Sequence, residues 1–293
     1  MKNILFVYNP VAGQAKIQKN MFEVVDYLES MDCSVTLCQI RNLEQRYFSL
    51  ADRTNFDRII CSGGDGTLNQ LMSFLTGHGI HTDVGYLPSG STNDYAHSLG
   101  ISPNFNEALR QAVKGKPHAF DVGRFNDRYF MYVAGFGMFT KASYTTPQRT
   151  KNLLGHTAYL LEGIKELSDL RKYEVTLDTG EFHIQDEFII GLVTNSLFVG
   201  GFKDILPADS ALDDGVFEVL LLRRPKSLND LSDLIVDLTK GALKNNPNVL
   251  FIRCDQLKIT STEPLDWTLD GEYGGNPTQT DIQNLHKAFS VVC

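Results

Sequence analysis

Five short segments of this 293-residue chain combine glycines, hydroxyls and acids at spacings suited to phosphate or metal chemistry. The most informative is Ser62-Gly63-Gly64-Asp65-Gly66-Thr67-Leu68-Asn69. Two glycines directly after an apolar run let the backbone turn sharply and approach a ligand closely. Gly66 and Thr67 then open a helix whose first N–H groups lack intrahelical partners, which makes an anion site. A carboxylate inside an anion site is expected to meet a metal, or a hydroxyl that it orients, and Asp65 holds that position. The alternative is a strand-to-helix turn with Asp65 as a simple N-cap. Leu87-Pro88-Ser89-Gly90-Ser91-Thr92-Asn93-Asp94 repeats the logic of strand, glycine turn, hydroxyls and acid. By itself it is compatible with an ordinary capped turn; beside the first segment it reads as the other wall of a phosphate cleft. Asn9-Pro10-Val11-Ala12-Gly13 is followed by Gln14, so it lacks the Gly-Lys-Ser/Thr ending of a Walker loop. It carries no G-x-G-x-x-G either, which disfavours a Rossmann dinucleotide site.

Two further segments are acidic. Leu206-Pro207-Ala208 and Ala211-Leu212-Asp213-Asp214-Gly215 precede an apolar strand. Oxygen-rich turns of this kind suit Mg²⁺ or Ca²⁺, and a plain hairpin turn is the other reading. Leu269-Asp270-Gly271-Glu272 has the same ambiguity. Its Glu272 could serve as a general base if the second domain folds over the rim. His97 and His118 have no spacing partners and read as structural or solvated, while Lys16 and Lys141 could touch phosphate or simply be surface residues.

The elements that must position these segments follow from periodicity. Residues 3–8 (NILFVY) read as a strand buried on both faces. Ile17, Met21, Val24, Val25 and Leu28 form one helical stripe. Strands are expected over 34–40, 57–61 and 84–87, with helices marked by Leu43, Tyr47, Leu50 and Ala51 and by Leu68, Leu71, Met72 and Leu75. This alternation implies βαβ units and a parallel sheet with right-handed crossovers. Ligands of such sheets sit at the carboxyl ends of the strands, where Asn9, Gly63 to Thr67 and Pro88 to Asp94 all fall. After Phe120 the pattern becomes mostly antiparallel β. Strands are expected over 121–125, 128–137, 173–177, 187–194, 216–222, 257–262 and 267–269, with helices over 150–168 and 227–243. The last strand, 286–292, could belong to either half.

Composition narrows the function. Hydrophobic residues make up 42% and charged residues 21%, ordinary globular usage at a length that fits two domains. Net charge is −8, from 27 Lys+Arg against 35 Asp+Glu, which argues against nucleic-acid binding through a basic surface. An acidic protein that handles phosphate must do so locally, with backbone N–H groups or a divalent metal. Cys33, Cys38, Cys61, Cys254 and Cys293 form no C-x-x-C pair and read as reduced thiols. No apolar run approaches the ~18–20 residues of a membrane-spanning helix, and 3–8 is too short for a signal-peptide core. The expectation is a cytoplasmic protein.

In this order the segments resemble the diacylglycerol kinase catalytic-domain family of lipid kinases, which includes bacterial soluble diacylglycerol kinases and the sphingosine and ceramide kinases. The resemblance covers nearly the whole chain. Besides the segments above, Asp121-Val122-Gly123 and Leu154-Gly155-His156-Thr157-Ala158-Tyr159 contribute to it. The glycine loop alone is only moderately specific, because NAD kinases and phosphofructokinases carry similar ones. The resemblance implies a three-layer α/β nucleotide-binding domain of the NAD kinase/diacylglycerol kinase type over 1–122, with 281–293 free to rejoin it. It implies a mostly antiparallel, β-sandwich-like lipid- and metal-binding domain over 123–280, with the active site between the two. ATP would lie against Asn9, Pro10, Gly13, Gly63, Gly64, Asp65, Gly66, Thr67, Leu68, Asn69 and Ser91. Asp65 and Asp94 would sit in the catalytic cleft. Mg²⁺ would take the carboxylate of Asp214 and backbone carbonyls near Ala211 and Val216. Asp121 would organise the metal network and Asp213 would link it to the cleft. Glu272 matches the position taken as general base.

The activity so implied is transfer of the γ-phosphate of ATP to a lipid hydroxyl, first of all diacylglycerol, giving phosphatidic acid. The acceptor would be met in transient contact with a membrane surface, although no basic amphipathic helix is evident. An edge strand could pair two copies as a homodimer. Three positions depart from the family pattern: Gln70 stands where Glu is common, Ile40-Arg41 where a threonine often touches the nucleotide, and Ser91 where Thr is common. Two other classes stay open: a soluble-substrate kinase of the NAD kinase type, against which the 88–94 and 212–215 segments speak, and a non-catalytic nucleotide- or lipid-binding regulator, against which the intact acids speak.

Overall fold

The computed structural model describes residues 2–51, 55–90, 93–137, 171–196, 209–240 and 242–293. Ser91, Lys141, the 154–159 segment, the helix expected over 150–168 and Leu206-Pro207-Ala208 lie outside the described residues, as do the side chains of Lys16 and Asp94. In chain order the first elements are β1 (Lys2–Tyr8), α1 (Lys16–Ser30), β2 (Cys33–Gln39), α2 (Leu43–Ala51), β3 (Arg58–Gly63), α3 (Asp65–Gly77), β4 (Asp83–Pro88), α4 (Asp94–Ser98) and α5 (Phe105–Lys114). Then come β5 (Pro117–Phe125), β6 (Arg128–Phe130), β7 (Val133–Gly137), β8 (Tyr173–Asp178), β9 (His183–Thr194) and β10 (Phe217–Arg223). The chain continues through α6 (Leu228–Thr239), β11 (Val249–Cys254), β12 (Gln256–Ser261), β13 (Trp267–Leu269), β14 (Glu272–Gly275) and β15 (Gln279–Val292). These divide into two compact units, Met1–Phe120 with Lys287–Cys293, and Asp121–His286.

In the first unit β2, β1, β3, β4 and the end of β15 lie side by side in that order, all parallel. Ile4 to Val7 are buried on both faces of β1, which is why the run carries no polar alternation. Ile17, Val24 and Leu28 bury one side of α1. The register pairs Tyr8 with Ser62 and Gly63 with Pro88, so the loops leaving β1, β3 and β4 start level with one another. Arg58 closes α5 by donating to the carbonyls of Ala112 and Val113 at 3.2 and 2.6 Å, where a cation is favoured at a helix C-terminus.

The second unit is antiparallel. β9 pairs with β8 over its first part and with β7 and β10 over its second, and β12 joins β8 to β15. β5 and β6 form a hairpin through Asn126 and Asp127, with Asn126 at φ 52. Trp267 is fully buried, with Phe125 and Phe136 edge-on to it at 4.9 and 5.0 Å, the preferred geometry for aromatic pairs.

Some expectations needed correction. The strand over 128–137 is two, β6 and β7, because the N–H groups of Met131, Tyr132 and Val133 turn to the carboxylate of Asp270. The last strand starts at Gln279, not 286; its inward positions include the polar Thr280 and Asn284, which hid the alternation. α6 ends at Thr239, two residues before Gly241, a poor helix former. Its start is a reciprocal cap, with Asp230 N donating to Ser227 Oγ and Ser227 N to Asp230 Oδ2. α5 and β11 were not anticipated; the buried face of α5 is Ala108, Leu109 and Ala112, largely small residues.

All five cysteines are free. Burial pushes the Cys254 thiol up to about 12 and raises that of Cys61 further. Since the thiolate is the reacting form, native protein is expected to react with a thiol reagent at Cys293 first and at Cys61 and Cys254 only on unfolding. Mass-spectrometric mapping of labelled cysteines checks this; rapid labelling of Cys61 in native protein would contradict it.

Candidate functional site

Three loops at the carboxyl edge of the parallel sheet are laced together by backbone. After β1, Asn9 N donates to the carbonyl of Ser62 at 3.0 Å. Asn9 Nδ2 donates to Thr67 Oγ1 at 3.1 Å, while its Oδ1 accepts from Val11 N at 3.1 Å. The Asn9 side chain thus spans from its own loop to the first turn of α3. Gly13 takes φ 52, and a Cβ there would lie 1.9 Å from the carbonyl oxygen of Ser89. After β4, Ser89 N donates to Gly63 O at 2.8 Å, and the hydroxyls of Ser62 and Ser89 lie 3.2 Å apart. A Cβ added at Gly90 would meet Gly64 Cα at 2.5 Å. Asn93, at φ 56, closes this loop by exchanging hydrogen bonds with the Gly90 backbone at 2.9 and 3.0 Å.

Helix α3 starts here. Gly64 is its N-cap, and Gly64 O accepts from the N–H groups of Thr67 and Leu68. Asp65 is therefore inside the first turn and is not the cap. One of its carboxylate oxygens accepts from Tyr95 N at 3.1 Å, joining α3 to α4. A negative charge in this position is favoured by the helix dipole. Thr67 and Leu68 are buried, and the Thr67 hydroxyl is taken by Asn9 Nδ2. Gly66 is exposed, with no atom within 4 Å of where a Cβ would stand. Asn9, Pro10, Gly13, Gly63, Gly64, Asp65 and Gly66 thus belong to one edge of the first unit, while Asn69 lies a turn into α3, where its Oδ1 accepts from Ser73 Oγ at 3.4 Å. Ser62, Ser89 and Asn93 fasten it; a serine before a glycine at a strand end is the sequence signal for the first two.

The acidic turn of the second unit is held by Asp121. That carboxylate is buried and accepts from Gly215 N at 2.6 Å and Asn284 Nδ2 at 3.3 Å, with His286 Nδ1 3.0 Å from its other oxygen. Asp121 N donates in turn to Leu212 O at 2.9 Å. The 212–215 turn is fastened at both ends, and Asp121 serves as its fastener. Asp213 is exposed. Asp214 accepts from Val216 N at 3.2 Å and from Arg253 Nη2 at 2.7 Å. Arg253 also reaches Asp209 at 3.0 Å and Glu218 at 3.5 Å. Burial raises the Glu218 carboxyl above the usual range, opposed by the Ser210 hydroxyl and Arg253. No three His, Cys, Asp or Glu side chains among the described residues are grouped to hold a metal. A hard cation here would need backbone carbonyls beside Asp214, and a tight turn at Ala211–Val216 offers that donor type.

Asp270 and Gly271, at φ 49 and 85, form the turn between β13 and β14, as an Asp-Gly two-residue hairpin should. The Asp270 carboxylate accepts from the N–H groups of Met131, Tyr132 and Val133 at 2.7, 3.0 and 2.9 Å, and Tyr132 Oη donates to its carbonyl at 3.1 Å. Glu272 follows at once, exposed at the start of β14.

The packing at Gly13 gives a stability test. Gly13→Ala must strain a left-handed residue and displace the Ser89 carbonyl, so urea denaturation is expected to show a loss of about 1–3 kcal/mol. Gly66→Ala, in open space on a helix, is expected to be neutral or to gain up to about 1 kcal/mol. Equal effects at the two positions would contradict this packing.

Comparison with known proteins agrees with this architecture. Residues 3–125 match the diacylglycerol kinase catalytic domain, and residues 134–292 match the YegS C-terminal NAD kinase beta sandwich-like domain. The diacylglycerol kinase of Bacillus subtilis (strain 168) is 30% identical over 295 residues, covering 100% of this chain and 96% of that one. That of Staphylococcus saprophyticus is 28% identical, covering 94% and 90%. The crystal structure of a diacylglycerol kinase from Bacillus anthracis str. Sterne superposes with a TM-score of 0.72 at 21% identity, covering 99% of this chain and 96% of that one. A second crystal structure from the same organism gives 0.80 at 22%, covering 99% and 95%. With an N-terminal parallel α/β part and a C-terminal antiparallel β-sandwich-like part, this chain belongs to the diacylglycerol kinase catalytic domain family of lipid kinases.

Proposed function

We propose that the chain phosphorylates diacylglycerol, transferring the γ-phosphoryl group of ATP to the free lipid hydroxyl and forming phosphatidic acid. The observation that carries this is the backbone-lined edge built by the loops at Asn9–Gly13, Gly63–Thr67 and Ser89–Asn93. Such an edge suits a polyphosphate, since N–H groups and a helix N-terminus can meet its oxygens without cationic side chains. In this reading residues 1–122 with 281–293 bind ATP and residues 123–280 bind the lipid and metal. The nucleotide lies against the residues of that edge, with Ser91 beside it and Asp65 and Asp94 near the reacting phosphate.

Glu272 is the general base. It takes the proton of the lipid hydroxyl as that oxygen attacks the γ-phosphorus and the bond to the ADP oxygen breaks. Its exposure on a fixed hairpin supports this role, because a base must reach a substrate rather than pack in a core. Mg²⁺, held by Asp214 and the carbonyls of Ala211 and Val216 with Asp121 and Asp213 around it, would supply positive charge to the phosphoryl-transfer site. Loop N–H groups stabilise the oxygens of the transferring group.

The acceptor is met at a membrane surface by transient contact. No described helix is long and apolar enough to cross a membrane. Val11 and Phe22 are 78% and 87% exposed, and Gln18, one turn before Phe22, donates to Pro10 O beside Val11, so two bare apolar side chains flank the phosphate edge. We also propose a cytoplasmic location. A homodimer would use the outer edge of β2, the last strand of its sheet, where Leu37 is exposed.

With diacylglycerol in mixed micelles and labelled ATP, wild type is expected to form phosphatidic acid only with Mg²⁺. Glu272→Gln is expected to lower the rate at least ~10²-fold with ATP affinity unchanged, and Asp65→Asn to abolish transfer. Full activity in both variants would overturn the residue roles. Phosphorylation of NAD in place of lipid would overturn the acceptor.

A further inference from the structure

Strand β11 sets Arg253 opposite Glu218 on β10. The guanidinium converges on three carboxylates: Nη1 lies 3.0 Å from Asp209 Oδ2, Nη2 2.7 Å from Asp214 Oδ2 and Nε 3.5 Å from Glu218 Oε1. The Glu218 side chain is 1% exposed. Its Oε1 meets Arg253 through the longest of the three contacts, and the Ser210 hydroxyl lies beside it. Three acids therefore share one cation.

Both oxygens of Asp214 are engaged, Oδ1 by Val216 N and Oδ2 by Arg253. A divalent ion taking Asp214 would meet the guanidinium at the same carboxylate, and like charges a few ångström apart repel strongly in a partly buried setting. Arg253 has Asp209 and Glu218 to fall back on if it yields Asp214.

We propose that Arg253 is a built-in competitor for the acidic turn, occupying Asp214 as a surrogate cation and thereby setting how tightly the turn binds Mg²⁺. The proposal rests on the reading of Asp214 as a metal ligand, and the test separates the two. The contact is with the turn itself, so the effect appears in metal binding and does not depend on catalysis.

Titration calorimetry with MgCl₂ on the nucleotide-free full chain gives the readout. Arg253→Gln is expected to bind Mg²⁺ at least about tenfold more tightly than wild type. Arg253→Lys, which keeps the charge, is expected to stay near wild type. Because Arg253→Gln strips Glu218 of its cation, the double variant Arg253→Gln/Glu218→Gln is measured alongside it and decides the matter if the single variant does not fold. Adding Asp214→Asn is expected to abolish the gain. Equal or weaker binding by the charge-removed variants, with wild type binding Mg²⁺, overturns the competitor role and leaves the metal reading standing. No Mg²⁺ binding by any of the folded proteins overturns the metal reading and this proposal with it.

Discussion

Gly64 and Gly90 meet backbone to backbone, with no room for a Cβ on Gly90. The carbonyl of Gly63 accepts from Ser89 N, and Gly13 closes onto the Ser89 carbonyl from the other side. This close approach is the constraint on which the edge of the parallel sheet depends. It brings three loops from adjacent parallel strands together beside the start of α3. In the proposed reading it would let a chain of net charge −8 meet a polyanion. The groups offered are amide dipoles held in place by packing, which need no basic surface.

The second unit uses buried or tied carboxylates to hold backbone in turns. Asp121 grips Gly215 and is itself braced by Asn284 and His286. Asp270 grips three successive N–H groups and so fixes the hairpin that carries Glu272. Asp65 does the same between two helices of the first unit. Among the described residues, Asp65, Asp121 and Asp270 hold backbone in place, and Glu272 is exposed next to the last of them. A carboxylate hydrogen-bonded to backbone N–H groups has its geometry set before any ligand arrives, and preorganisation of this sort is what phosphoryl transfer asks of a protein.

Much of this was legible in the sequence. The βαβ alternation, the carboxyl-edge position of the glycine loops and the change to antiparallel strands after Phe120 follow from periodicity and from glycine placement. Three features were not legible, each for a physical reason. The break between β6 and β7 depends on Asp270, which is more than a hundred residues away, and local pattern carries no trace of such a partner. The first half of β15 faces inward partly through Thr280 and Asn284, polar residues that interrupt the apolar alternation. The small-residue face of α5 gives a weak apolar stripe. At the candidate site the glycines announced themselves, whereas Arg253 did not. A single arginine in the apolar run 249–254 reads as a solvated position until the strand pairing sets it beside Glu218 and Asp214.

The central proposal is that the chain carries out divalent-cation-dependent phosphoryl transfer to a lipid alcohol. The most direct test incubates the purified full chain with γ-labelled ATP and a total lipid extract, in Mg²⁺ and in EDTA, and resolves the lipids. A new labelled lipid that forms in Mg²⁺ and not in EDTA, identified as phosphatidic acid, is the predicted result. ATP binding with no labelled lipid under either condition would contradict the account.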